Sequence, residues 1–309
     1  MRVAVTGGTG FVGAALITHL IDKGCEVRAL ARNPDLFDAP KNITVLRGSL
    51  EDEAALGALA ESADVFFNLA GVTHARKIDE YQRTNVDGAA RAARAASAAG
   101  AKFIHISSIS ARAPEVSPYA RSKHDSEAAI RTASGDNAWL ALRLPAIYGP
   151  GDMVTLPYFK LVKLGLALEP KTPTPAHASI VYVDDAAAAI AEAARSAPPG
   201  AVYEVGDERP GGHAWSEIGA ILGEQLARRP HAIRVPRALI GAYHKLIIAT
   251  ESALGRKPSV REGQVNEFFH PDWVAHSDLL SDATPWRPTT PLKEGFAKTA
   301  LWYHKNGLL

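Results

Sequence analysis

Cysteine is nearly missing from this sequence, with Cys25 the one thiol in 309 residues. An intrachain disulfide framework is excluded, and a reducing compartment fits, with the cytoplasm as the expected location. Excess charge is missing too: 34 Lys and Arg face 33 Asp and Glu, for a net +1. So even a balance favours neither nucleic acid nor a membrane surface as a partner, and no run of like charge marks an interaction tail. No stretch reaches the about 18 consecutive apolar residues expected of a membrane-spanning helix. The longest in the C-terminal half, 238–249, is interrupted by Tyr243, His244 and Lys245. A strand pattern begins directly after Met1, with no secretory apolar segment ahead of it. The eleven histidines show no H-E-x-x-H or comparable spacing, so no metal is expected. What remains is a chain long enough for about two domains, with a small molecule as its expected partner.

What is present begins with alternation. Short apolar, β-branched runs fall at 2–6, 26–31, 43–47, 65–69, 102–107 and 138–144. Amphipathic stretches at 11–23, 52–61, 81–99 and 119–132 separate them. Strands buried on both faces read as such unbroken apolar runs. With right-handed crossovers the pattern predicts an α/β fold, a doubly wound parallel sheet of the Rossmann kind. After Leu144 the texture changes, with Pro145, Gly149, Pro150 and Gly151 in quick succession. One more strand–helix unit follows at 179–183 and 184–196, and beyond 201 the elements are short and irregular. The expected division is a Rossmann domain of 1–148 plus 178–200, beside a smaller irregular α/β C-terminal substrate lobe of 149–177 plus 201–309.

The first strand runs into Thr6-Gly7-Gly8-Thr9-Gly10-Phe11-Val12-Gly13, which opens a helix. The glycines fit both G-x-G-x-x-G (Gly8, Gly10, Gly13) and G-x-x-G-x-x-G (Gly7, Gly10, Gly13). At a first strand–helix junction they allow a tight turn, close approach of backbone to a pyrophosphate, and close helix–sheet packing. The free N–H groups and dipole of the helix N-terminus would then hold the phosphates. Ala14 and Ala15 stand where a P-loop needs Lys and Ser or Thr, so a mononucleotide P-loop is excluded. The second strand ends Leu30-Ala31-Arg32 with no carboxylate for a ribose 2′-hydroxyl. Arg32 could instead fork onto a 2′-phosphate, with Arg28 as a weaker candidate, so NADP is preferred over NAD.

Of the eight tyrosines, Tyr119 alone has a lysine four residues on, Lys123. That spacing puts both side chains on one helix face. A phenol with pKa about 10 is a poor acid or base at neutral pH, and a neighbouring ammonium favours its ionised form. Tyr119 could then exchange a proton with a substrate oxygen while hydride moves to or from a nicotinamide, and Lys123 could hold the nicotinamide ribose. The preceding strand ends Ile106-Ser107-Ser108-Ile109-Ser110. A hydroxyl there could steady the substrate oxygen; Ser108 is the choice, with Ser107 and Ser110 as rivals. His74, His105 and His124 lie near the expected cleft and read as satisfied structural histidines.

Taken in order, these motifs resemble the extended short-chain dehydrogenase/reductases, the NAD-dependent epimerase/dehydratase family. The likeness includes Asn68-Leu69-Ala70-Gly71, Asn85-Val86-Asp87-Gly88, Arg143-Leu144-Pro145, Tyr148-Gly149-Pro150-Gly151-Asp152, Val181-Tyr182-Val183-Asp184-Asp185 and Leu301-Trp302-Tyr303-His304. The resemblance implies a cofactor lined by Gly7, Thr9, Gly10, Phe11, Val12, Gly13, Leu69, Ala70, Gly71, Ser107 and Pro145, and by Ser49 and Leu50. It implies Asn85 as a structural tie, Asp184 and Asp185 as helix caps, and a homodimer through Rossmann helices. Two features depart from the family: Gly48-Ser49-Leu50 stands where Gly-Asp-Leu is common, and the loop before Tyr119 is short. Missing the ribose carboxylate tilts the chemistry toward a single carbonyl reduction or alcohol oxidation. A nucleotide-sugar epimerase or dehydratase is the alternative, with Lys160, Lys163, Arg209 and Lys257 available for a diphosphate. A non-catalytic dinucleotide sensor is the reading from another class, and such proteins lose the Tyr/Lys pair.

Overall fold

The computed structural model describes residues 1–37, 40–75, 77–254, 260 and 263–309. The Rossmann elements are β1 (Arg2–Thr6), α1 (Phe11–Asp22), β2 (Glu26–Ala31), β3 (Ile43–Arg47), α2 (Glu53–Ala60), β4 (Val65–Asn68), α3 (Ile78–Tyr81), α4 (Gly88–Ala98), β5 (Lys102–Ser108), α5 (Pro118–Ser134) and β6 (Trp139–Leu144). Then come β7 (Ala146–Tyr148), α6 (Leu156–Lys163), β8 (Leu166–Pro170), β9 (His177–Ala178), β10 (Ile180–Tyr182), α7 (Val183–Ser196) and β11 (Ala201–Glu204). The chain ends with β12 (His213–Ala214), α8 (Trp215–Gln225), β13 (His231–Val235), α9 (Arg237–Ala253), α10 (Gln264–Phe268), β14 (Asp272–Trp273), α11 (Leu280–Ala283) and α12 (Leu292–Lys305).

Seven parallel strands form the central sheet in the order β3-β2-β1-β4-β5-β6-β11. One core joins α1 and α7 to the sheet through Leu16, Ile17, Leu20, Ala186 and Ile190. The other packs α2 and α4 through Leu56, Leu59, Ala89, Ala92 and Ala96. The alanines let helix and sheet approach closely, and residues 3–5 of β1, covered on both faces, are fully buried.

Three details differ from the sequence reading. The strand at 179–183 was expected to extend the Rossmann unit, but β10 pairs with β7 in a separate two-stranded sheet. The seventh strand is β11, which pairs with β6, so the boundary expected at 200/201 falls just before the sheet is complete. The helix expected over 81–99 is also not continuous, because residues Gln82–Asp87 form a π-helical stretch. The wider turn carries buried Asn85 inward, a placement typical of π-bulges near functional sites.

The second lobe has its own core of Leu156, Phe159, Val162, Leu222, Phe296 and Tyr303. Parallel β8–β13 and the three-stranded β12-β9-β14 complete it.

Candidate active site

The glycine loop is built by backbone demands. Gly7 is left-handed at φ +75°, and a Cβ there would stand 2.6 Å from the Ala70 amide nitrogen. A Cβ on Gly13 would overlap the Gly7 carbonyl, whereas Gly8 would meet only side chains, Ile17 and Phe37 foremost. The frame Gly7, Gly10, Gly13 is thus the one the backbone requires. Gly10 caps α1 without a side chain, leaving the first-turn N–H groups of Phe11, Val12 and Gly13 open beside exposed Thr9. This cradle fits a dinucleotide pyrophosphate.

Arg32 is exposed just past β2 and has no hydrogen-bond or ion-pair partner among the described residues. Arg28 drops out as a phosphate ligand. Its guanidinium donates to the carbonyls of Glu61 at 2.9 Å and Ala58 at 2.7 Å, clamping the negative end of α2. Leu50 is buried in the α2–α4 core, so its side chain packs the fold and is not presented to a cofactor. Ser49 Oγ accepts from the Glu51 amide at 3.2 Å, shaping the turn before α2. Leu69, Ala70 and Gly71 continue from β4 across the glycine loop, and a Cβ at Gly71 would lie 3.6 Å from Lys123 Nζ. Pro145 is half-buried between β6 and β7.

Hydrogen-bond direction separates the three serines. Ser107 Oγ is buried and donates to Glu127 Oε1 at 2.6 Å. Ser110 Oγ donates to Ser108 Oγ at 3.0 Å, and the Ser110 amide donates to the same oxygen at 3.2 Å. Both lone pairs of Ser108 are thereby engaged and its proton is left to donate outward. Of the three, Ser108 alone keeps a hydroxyl proton that no hydrogen bond among the described residues commits.

Tyr119 and Lys123 lie on the first turns of α5, where Ser117 caps the helix by accepting from the Ala120 amide and Pro118 occupies its first position. Tyr119 is half-buried, its ring 6.2 Å from that of Tyr81. Lys123 is buried, and Nζ donates to the Ile106 carbonyl at 2.8 Å. Burial pushes its pKa down to about 8, with Glu127 one turn away pulling the other way. Beneath it runs an oriented row across β1, β4 and β5. Thr6 Oγ1 donates to Asn68 Oδ1 at 2.6 Å, and Asn68 Nδ2 meets His105 Nδ1 at 3.1 Å. His105 Nε2 then faces Ser126 Oγ at 3.0 Å, which donates to the Lys123 carbonyl at 2.7 Å. Asn68 can only donate to Nδ1, so the imidazole carries its proton on Nε2. Burial and then the charge of Lys123 hold His105 well below the usual imidazole range. It is neutral. Asn85 is the expected tie: its Oδ1 accepts from Val72 N–H at 2.7 Å, and its Nδ2 donates to Val72 O and to Ser122 Oγ.

One part of the site was missed by the sequence reading. Arg143 donates from Nε and one terminal nitrogen to the two oxygens of Glu127 at 2.9 and 2.8 Å, and it faces Glu204 Oε1 at 3.5 Å. Arg112 approaches the other oxygen of Glu204 at 3.3 Å and reaches His276 Nε2 at 2.8 Å. This chain of charges runs from the catalytic-helix candidate to the second lobe. Among the diphosphate candidates, Arg209 is paired with Glu217, Lys160 and Lys163 sit on α6, and Lys257 lies outside the described residues. Asp184 and Asp185 are not caps; the cap position of α7 is Tyr182, which makes no side-chain capping bond. Buried Asp185 instead accepts from Thr289 Oγ1 at 2.7 Å and the Thr290 amide at 2.8 Å, fastening the C-terminal segment. His124 rests on the Ala111 carbonyl, with Nδ1 at 3.1 Å. Away from the cleft, Asp207, Glu208 and His213 bring one atom each within 4.8 Å of one another, a grouping the histidine spacing did not announce. Amides of Ile180 and Leu292 already hold the two carboxylates.

A model of the NAD dependent epimerase/dehydratase family matches residues 3–206. The chain belongs to this family. Family membership makes it an NAD(P)-dependent oxidoreductase of the extended short-chain dehydrogenase/reductase kind. It is 38% identical over 310 residues to a ceramide reductase of Caulobacter vibrioides (strain NA1000 / CB15N), covering 99% of this chain and 96% of that protein. Among solved structures it resembles gox2253, with a TM-score of 0.80 at 19% identity over 100% and 99% of the two chains. It also resembles MoeE5 in complex with UDP-glucuronic acid and NAD, with a TM-score of 0.74 at 21% identity over 99% and 100%. These two structures share this chain's fold. No helix among the described residues is long and apolar enough to cross a membrane.

Proposed function

We propose that this family member reduces a ketone on an apolar, lipid-like substrate, with NADPH as reductant and Tyr119 as proton donor. The observation that carries the reading is the grouping of Tyr119, buried Lys123 and outward-donating Ser108 at the C-terminal end of β5, beside the glycine cradle. When bound, the dinucleotide supplies hydride to the carbonyl carbon. Ser108 donates a hydrogen bond to the carbonyl oxygen, and Tyr119 gives that oxygen its proton. Lys123 stabilises the phenolate left behind and holds the nicotinamide ribose. Gly7, Gly10, Phe11, Val12 and Gly13 would bear the pyrophosphate, and Leu69, Ala70, Gly71 and Pro145 the walls of the cleft.

The substrate class follows from two points. The segment that packs on Ser117, the cap of α5, is aromatic: Phe268, Phe269 and Trp273, with Trp215 against Phe268 at 5.3 Å. The relative matched along nearly its full length is named a ceramide reductase. A sugar diphosphate would need free cations, and Arg209 is already held by Glu217. The test follows consumption of reduced nicotinamide with a detergent-dispersed long-chain ketone and with UDP-glucose. Turnover of the ketone is expected. Redox-neutral conversion of the sugar nucleotide instead would sink the proposal.

NADPH preference rests on Arg32. A charge-assisted fork on the 2′-phosphate contributes about 1.5–3 kcal/mol. Arg32→Ala should therefore weaken NADPH binding by roughly 10- to 100-fold and leave NADH binding unchanged. The five tryptophans supply the fluorescence signal. An equal effect on both cofactors, or none on either, removes Arg32 from the site.

A further inference from the structure

We infer that α9 is a docking surface for an anionic phospholipid membrane, on which the protein rests without crossing the bilayer. At about 1.5 Å per residue its 17 residues span about 25 Å. A surface helix ordinarily turns its polar face to water, as α12 does with Lys293 and Lys298. In α9 no residue whose burial is described is buried. Ile240, His244 and Ile247 form a half-buried inner stripe. On the outer face Leu239, Tyr243 and Leu246, again at i, i+4 and i+7, are 61%, 58% and 65% exposed. Leu254, just beyond the helix, is 62% exposed. Single exposed apolar residues are ordinary, but a contiguous stripe of large ones marks an interaction surface.

Local charge names the occupant. Between Glu224 and Glu251 there is no carboxylate at all, against Arg228, Arg229, Arg234, Arg237 and Lys245. Arg234 is engaged by Glu169 at 2.8 Å; Arg228 donates to a backbone carbonyl and Arg237 to the side-chain Oδ1 of Asn266. The near-neutral total of the whole chain conceals this cationic stretch. Exposed apolar side chains within a carboxylate-free, cationic stretch fit the interface of an anionic bilayer, where each near-surface cation contributes about 1 kcal/mol. A second copy fits poorly, because a twofold contact sets a patch against itself and would oppose cation to cation.

The surface is continuous with the site. Arg237 at the start of α9 lies 5.8 Å from the Phe269 ring and bonds Asn266. Asn266 in turn donates to Val116 O at 2.9 Å, and Glu267 accepts from Ser117, the cap of the helix that carries Tyr119. A membrane on α9 would thus lie close to the start of the helix that carries Tyr119, so an apolar ketone could reach it without passing through water. That last step rests on the substrate class proposed above; docking itself does not.

The test is sedimentation of the full chain with phosphatidylcholine vesicles, with and without phosphatidylglycerol. Wild type should bind the anionic vesicles at least tenfold more tightly and lose most of that preference in high salt. The triple variant Leu239→Ser/Tyr243→Ser/Leu246→Ser should lose binding at least tenfold while its NADPH affinity, read by tryptophan fluorescence, stays at the wild-type value. Arg229→Glu/Lys245→Glu should lose the anionic preference alone. Wild type that stays in the supernatant overturns the inference, as does a triple variant that binds like wild type. Self-association abolished by the triple variant, without vesicle binding, reassigns the face to a second copy and overturns it too. Vesicle binding by a protein that turns over only UDP-sugars would uphold docking and reject the substrate class.

Discussion

A Tyr119→Phe enzyme is expected to bind its dinucleotide normally and to turn over about a thousandfold more slowly, within the roughly 10²–10⁴ that a positioned general acid contributes. The fold should not notice the change. Tyr119 is half-buried at the start of α5, and the ring that meets Tyr81 is retained in Phe. What is lost is the proton that a carbonyl oxygen must receive as hydride arrives at its carbon. A pH profile ties the effect to Lys123, whose burial brings its ionisation down to about 8. Below that pH the ammonium stabilises the developing phenolate; above it the charge is gone and Tyr119 becomes a weaker acid. At saturating cofactor, kcat for reduction should be flat below about pH 8 and fall above it. The residual rate of Tyr119→Phe should lack that falling limb. Undiminished turnover in the variant would remove Tyr119 from the chemistry.

Much of this arrangement was legible because it is local. The strands were visible as unbroken apolar runs, the cradle as three glycines at a strand–helix junction, and the Tyr119–Lys123 pair as one helical spacing. What stayed illegible depends on partners distant in sequence. The sequence favours Ser108, but which of the three serines keeps its proton is set by hydrogen bonds to Glu127 and within the 108–110 turn. Arg28 reads as a weaker candidate than Arg32, and only the fold shows its guanidinium engaged at the end of α2. The short apolar triplet of β10 reads as a sheet strand, whereas β11, following Pro198-Pro199-Gly200, is the one the central sheet accepts. Neither length nor hydrophobicity distinguishes them. In α9 the apolar density was plain, but only the fold shows that Leu239, Tyr243 and Leu246 on its outer stripe are exposed.

The largest stability loss is expected at Arg143, and sheet register explains why. Ser107, Arg143 and Glu204 stand directly opposite one another on the parallel strands β5, β6 and β11. The guanidinium therefore sits between two buried carboxylates, Glu127 on α5 and Glu204 at the end of β11, at 8% and 2% side-chain exposure. Removing one partner of a buried ion pair costs about 3–5 kcal/mol, because the remaining charge has lost both water and counterion. Arg143→Met keeps the aliphatic volume and strips the charge. Its thermal midpoint should fall by roughly 10 °C for a chain of this size. Ser107 cannot compensate, since one hydroxyl satisfies one oxygen of Glu127. Adding Glu127→Gln should recover part of the loss at neutral pH, because an amide left without the guanidinium strands no charge. A single variant as stable as wild type at every pH would show that water, not Arg143, neutralises these carboxylates.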